Sequence, residues 1–99
     1  MQKLSAEPIA EKQTCSLRVG AAYFIRTVTY HYTGRIARIS DYDIELQDAA
    51  WIADSGRFNA ALTTGELNEV EPFPDSVVIA RTAIVDATVW NHDLPREVK

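Results

Sequence analysis

The residues best suited to chemistry are arginines set among tyrosines. Arg26, Arg35, Arg38 and Arg81 punctuate β-forming text, with Tyr30, Tyr32 and Tyr42 close by in sequence. Guanidinium groups neutralise phosphates and phenol rings stack on bases, which is the chemistry of single-stranded RNA binding. Arg35, Arg38, Arg81 and Tyr42 are therefore the candidate nucleic-acid-binding set. The competing use of the same arginines is pairing with carboxylates. Asp41, Asp43 and Glu45 stand at alternate positions, a spacing that invites calcium or acid–base chemistry. An EF-hand loop would need glycine where Leu46 stands, so the alternation reads instead as a solvated strand edge. His31 and His92 lack ligand spacing with each other or with Cys15, so no metal site is expected. Cys15 is the single cysteine and excludes an intramolecular disulfide. No cofactor motif and no nucleophile–base pair stands out, and the expected work is binding rather than catalysis.

Charge is distributed unevenly along the chain. Residues 1–40 hold six cations against two carboxylates, a balance of +4, and residues 41–99 hold four against twelve, a balance of -8, giving the net charge of -4. Such segregation steers an anion to one face or lets the basic face of one copy meet the acidic face of another. A chain of 99 residues with 46% hydrophobic and 24% charged residues holds one core and one domain. It is too mixed to contain a membrane span, and its first residues, MQKLSAEPIAEK, lack the apolar centre of a secretory leader. The expected setting is the cytoplasm, or a virion if the chain is phage-encoded.

The elements that must position these groups are mostly strands. Residues 1–16 read as a flexible arm, 17–90 as a single barrel domain and 91–99 as a polar tail. VGAAYFIRTVTYHYT, residues 19–33, is β-branched, aromatic and alternating, which predicts one long strand with Phe24, Val28, Tyr30 and Tyr32 on one face. A bend at Gly34 leads into a second strand through Ile36 and Ile39, and the turn chemistry of Asp41–Asp43 leads into a third, IELQDAAWI. Asp54 or Ser55 is positioned to cap a short helix that ends at Gly65, with Phe58 and Leu62 one turn apart. Gly65 to Asp75, acidic and carrying Pro72 and Pro74, predicts a surface loop with Phe73 tucked inward. VVIARTAIVDATVW then reads as two strands joined by a tight bend near Arg81 and Thr82. Trp51 and Trp90 read as core or interface anchors.

This order predicts an all-β fold, a small five-stranded Sm-like or SH3-like barrel with one short helix in a long loop. Gly34-Arg35-Ile36 followed by Asp41-Tyr42-Asp43-Ile44-Glu45-Leu46 resembles the first motif of the Sm-like family, and Val78 to Ile84 resembles the second. The resemblance covers about two thirds of the chain and implies an oligomeric barrel that binds RNA. Thr82 follows Arg81 where the Hfq-type members of the family carry histidine. FIRTVTYHYTGR and AAWIADSGRF also resemble segments of small uncharacterised phage and bacterial proteins, a likeness that implies no activity. The expected partner is a second copy of the chain, joined through edge strands, because the apolar run from Val77 to Val89 would aggregate if left as a bare edge. RNA binding is one expected use of such an assembly, and a ring or tube scaffold without nucleic acid is the other.

Overall fold

The computed structural model describes residues 15–99. Most of the predicted arm therefore lies outside the described residues. The chain forms one antiparallel sheet of six strands in the order β4-β3-β2-β1-β6, with β5 also paired to β3. The strands are β1 (Ala22–Thr27), β2 (His31–Ile39), β3 (Asp43–Asp54), β4 (Glu69–Pro72), β5 (Val77–Ala80) and β6 (Ile84–Val89), and one helix, α1 (Phe58–Thr64), sits between β3 and β4. No described helix is long and apolar enough to cross a membrane.

The sheet curls because two strands of unequal length share one ladder. Thr33 pairs with Ala50 and Arg35 with Gln47, so β3 spends one more residue than β2 over the same interval. The excess falls at Asp48, whose φ of 51° is in the left-handed region, and it bends β3 sharply. Gly34 lies opposite the bend. A Cβ there would meet Leu46 Cβ and Cδ1 at 3.1 Å and Ala49 Cβ at 3.3 Å, so only glycine admits this approach. A second irregularity, between Ile36 and Arg38, places its extra residue on β2.

Curling divides the apolar residues between two cores. Tyr23, Ile25, Ile36, Ile44, Leu46, Ala49 and Ile79 fill the concave side. Phe24, Ala50, Ile52, Ala61, Leu67, Val70 and Trp90 form a second cluster on the convex side. That side is covered by α1, through Phe58, Ala61 and Leu62, and by the C-terminal segment through Trp90 and Leu94. Arg26 ties three elements together, with its Nε 2.8 Å from Asp86 Oδ1 on β6 and its guanidinium 4.6 Å above the Phe58 ring of α1.

Several expectations need correction. Residues 19–33 are not one strand, since the chain turns between β1 and β2 at 28–30. Thr27 Oγ1 accepts from Tyr30 N at 2.9 Å and donates to Tyr30 O at 2.7 Å, closing the turn without glycine or proline. Gly34 lies within β2 rather than between strands. Six strands form where five were expected, because Glu69–Pro72 of the supposed acidic loop is β4. Pro72 fits there because Val70, two residues earlier, directs its N–H and C=O away from β3 to Lys99, and Pro72 shares that outward orientation. Arg57 occupies the N-cap position of the helix and makes no side-chain cap, and Asp54 Oδ1 accepts from Gly56 N instead. Gly65 does end it, at φ 82°. Residues 91–99, read as a polar tail, lie against the domain: Arg96 donates to the Ala49 and Phe73 carbonyls, and Lys99 exchanges two backbone bonds with Val70.

The bend between β5 and β6 is as expected, a 3-10 turn over Arg81–Ala83. It joins the two ends of the curled sheet through three residues. No ladder pairs β5 with β6, and the sheet is open between them.

Replacing Gly34 with alanine should lower stability by about 1–3 kcal/mol, since Leu46 and Ala49 are both fully buried and have little room to retreat. Thermal or urea unfolding of G34A measures this; an unchanged midpoint would mean that the bend does not require glycine.

Candidate functional site

The turn from β2 to β3 gathers three of the four predicted site residues. Ser40 N donates to Asp43 O at 2.9 Å and its hydroxyl donates to Asp43 Oδ1 at 2.8 Å, which sets the turn. Arg81 grips that turn from the 3-10 segment, its backbone N–H on Tyr42 O at 2.9 Å and its Nη1 on Ser40 O at 2.7 Å. Arg38 reaches Glu45 at 3.2 Å and Asp43 at 3.6 Å. Tyr42 projects from the tip with 82% of its surface exposed. Arg35 is outside this network and donates to the Gly20 carbonyl at 3.0 Å.

Two of the predicted carboxylates are thus engaged with Arg38. The Glu45 carboxyl sits below the usual range, chiefly through the hydrogen bond from Ser76 and then through that from Arg38. No group of three or more potential metal ligands occurs among the described residues. His92 Nε2 lies 2.8 Å from Leu62 O, and its ring packs edge-on to Trp90 at 4.9 Å, so it fastens the C-terminal segment to α1.

A second surface lies at the concave mouth of the sheet. Tyr32 on β2 is directly opposite Trp51 on β3, and Trp51 is opposite Glu71 on β4. This register sets a row of three side chains on one face of three adjacent strands. Tyr30 and Phe73 extend the row by one alternate position at each end. Tyr30 meets Trp51 edge to face at 6.1 Å, and Tyr32 stacks on Phe73 at 6.1 Å with 24° between planes. Together with Pro72 they line an open groove of about 350 Å³. Tyr30 is 51% exposed and Trp51 38%. Burial, and then the neighbouring Tyr30, hold the Tyr32 hydroxyl above its usual pKa, so it stays neutral.

Sequence reading named the members of this groove separately and never as a set. Tyr30 and Tyr32 were expected to stack on bases, Trp51 to be an anchor and Phe73 to tuck inward; Phe73 does pack against the concave core. The missing information was the cross-strand register of β3 with β4, which the unrecognised fourth strand concealed.

The fold and its two surfaces define a small antiparallel β module with exposed aromatic groups. Compared with protein-family models, curated proteins and solved structures, the chain matches none. The likeness to the Sm-like family therefore rests on its motif residues alone.

Acid should weaken the sheet in a definite direction. The bond from Arg26 holds the Asp86 carboxyl below its usual pKa, as Ser76 and Arg38 do for Glu45. The unfolded chain then binds more protons than the folded one, so the stability these groups contribute is complete above the ordinary carboxylate pKa of about 4. It is lost as pH falls through the lower folded values. Melting temperature should drop between about pH 5 and pH 2, and Asp86→Asn should remove part of that dependence. An identical acid limb in D86N would dismiss Asp86 as a contributor.

Proposed function

We propose that this chain is a non-catalytic binding module that works as a closed assembly of identical copies. The observation that carries the reading is the pair of bare edges. β5 pairs only with β3 and β6 only with β1 among the described ladders, so each offers one unpaired side. Around them Val78, Val85 and Val89 are 53%, 64% and 54% exposed. Unpaired edges flanked by apolar side chains are sites of strand addition. β5 of one copy and β6 of the next are complementary in kind, and a heterologous contact of that sort closes into a ring when its rotation permits. In this reading the open, curled sheet serves as an Sm-like or SH3-like small barrel whose edges are completed by neighbours.

Single-stranded RNA is the ligand favoured by the β2–β3 turn. Tyr42 offers an exposed ring for stacking, and Arg38 and Arg81 lie beside it. Phosphate would have to draw Arg38 away from Asp43 and Glu45, which makes any such binding weak per copy and dependent on repetition of the site. The structural alternative uses the same charge segregation to join copies in a scaffold without nucleic acid.

Native mass spectrometry at low micromolar concentration should give multiples of the 11.1 kDa chain. Val85→Lys should shift the population toward single chains without changing the circular dichroism of the fold. Only 11.1 kDa species from the unaltered chain would overturn the assembly.

RNA binding has its own measure. Single-stranded RNA should be retained at about 50 mM salt and released as salt rises, and Tyr42→Ala should weaken retention several-fold through lost stacking. Absence of retention by an intact assembly would leave the scaffold reading in its place.

A further inference from the structure

We infer that the groove at the concave mouth is a docking site for a basic side chain, a lysine or arginine on an extended segment of a partner protein. This deepens the binding-module reading, on which it rests, but it does not depend on assembly through β5 and β6.

The walls of the groove are aromatic faces and edges: Tyr32 from β2, Trp51 from β3, Tyr30 from the β1–β2 turn and Phe73 from just beyond β4. A cation on an aliphatic stem is attracted to the faces of Trp and Tyr by the ring quadrupole, and the stem itself replaces water along apolar surface. Tyr30 and Trp51 stand at 89° to each other, so a group entering between them meets one ring's face and the other's edge. Tyr32 and Phe73, stacked behind them, are held by the concave core and present a stiff floor.

Charge selects the ligand's sign. Glu71 stands directly across the ladder from Trp51, exposed, and its carboxylate has no ion-pair or hydrogen-bond partner among the described residues. Glu69 lies two residues away on the same strand. Two basic residues come close and are both engaged elsewhere: Arg96 directs its guanidinium to the Ala49 and Phe73 carbonyls, and Lys99, backbone-bonded to Val70, directs its ammonium to Glu66. An aromatic groove with an unmatched carboxylate on its rim attracts cations and repels phosphates.

Openness selects a side chain over a free small molecule. The site is a groove of about 350 Å³, at the low end for small-ligand pockets, and it is not enclosed. It suits a group that protrudes from something larger and supplies the rest of its contact outside. Tyr30, in the β1–β2 turn, and Pro72, at the end of β4, both line the groove.

The test follows nitrogen-15 spectra of the full chain during titration with capped tetra-arginine. The Trp51 indole resonance and the backbone amides of Tyr30, Tyr32 and Glu71 should shift together and saturate in the millimolar range or below, while the Trp90 indole, buried on the convex side, stays unchanged. Glu71→Gln should weaken binding at least three-fold, and Trp51→Ala at least ten-fold, each with an unchanged fold by circular dichroism. Capped tetranorleucine, which offers an apolar stem of similar length and no charge, should bind at least three-fold more weakly. Equal binding of tetranorleucine, or an affinity indifferent to Glu71→Gln, would overturn the cation. Equal binding of butylammonium would overturn the protein segment in favour of a free amine. Saturating shifts at the same resonances with oligouridylate, absent with tetra-arginine, would overturn it in favour of RNA. No groove shifts with tetra-arginine would end the proposal, whatever the native mass of the assembly.

Discussion

The close approach of Gly34 to Leu46 and Ala49 is the contact on which the rest of the structure depends. A side chain at that position would hold β2 and β3 apart, and the residue that β3 has in excess at Asp48 could not be absorbed as a bend. The bend divides β3 into two arms that differ in direction. With it, β5 pairs with Asp43–Leu46 and β4 with Ala50–Asp54, so one strand serves two partners. The aromatic groove exists because the second of those partners continues the concave face beyond the bend.

Both faces of this sheet are buried, which is unusual for an antiparallel sheet in so short a chain. The convex face is covered by material that comes from two separated stretches, α1 and the C-terminal segment. They meet where Gly65, at the end of the helix, faces His92; a Cβ there would come within 2.8 Å of the imidazole. The same segment then reaches the concave side's rim, where Arg96 binds the Phe73 carbonyl. Cover and groove are therefore mechanically linked: what fixes the end of the chain also fixes the aromatic floor. Among the described residues, one buried side-chain polar atom has no hydrogen-bond partner, the hydroxyl of Thr33, fully buried on β2 between β1 and β3. A buried hydroxyl left unmatched costs about 1–3 kcal/mol, so this position carries a cost that the surrounding contacts offset.

Those features explain which parts could be read in advance. The β-rich class, the turn at Asp41–Asp43, the glycine end of the helix and the bend at Arg81–Thr82 each follow from local residue chemistry and were legible. The turn after Thr27 was hidden because a hydroxyl closes it in place of the usual glycine. Alternation misled over residues 19–33 because Tyr23, Phe24 and Ile25 are all buried, each against one core or the other. β4 was hidden by Pro72, which the ladder tolerates only because of the direction in which it points. For the candidate surfaces, sequence could name Arg38, Tyr42 and Arg81 but not that a single turn joins them. The groove was beyond reach, since its row of Tyr32, Trp51 and Glu71 is a product of register between strands distant in sequence.

The three-residue link between β5 and β6 has a consequence for the path of the whole chain. Arg81–Ala83 folds the chain back so that β6 reaches β1 of its own sheet, although the text on both sides is uniformly β-forming. Several bonds hold this reversal at once: Arg81 Nη1 donates to Ser40 O at 2.7 Å, its backbone N–H to Tyr42 O at 2.9 Å, and Val28 N–H to Ala83 O at 3.1 Å. With the reversal in place, β6 pairs with β1 from Tyr23–Val89 to Thr27–Ile84. The chain's reversal between β5 and β6 is thus fastened by the same arginine that fastens the β2–β3 turn, and the two turns hold or fail together.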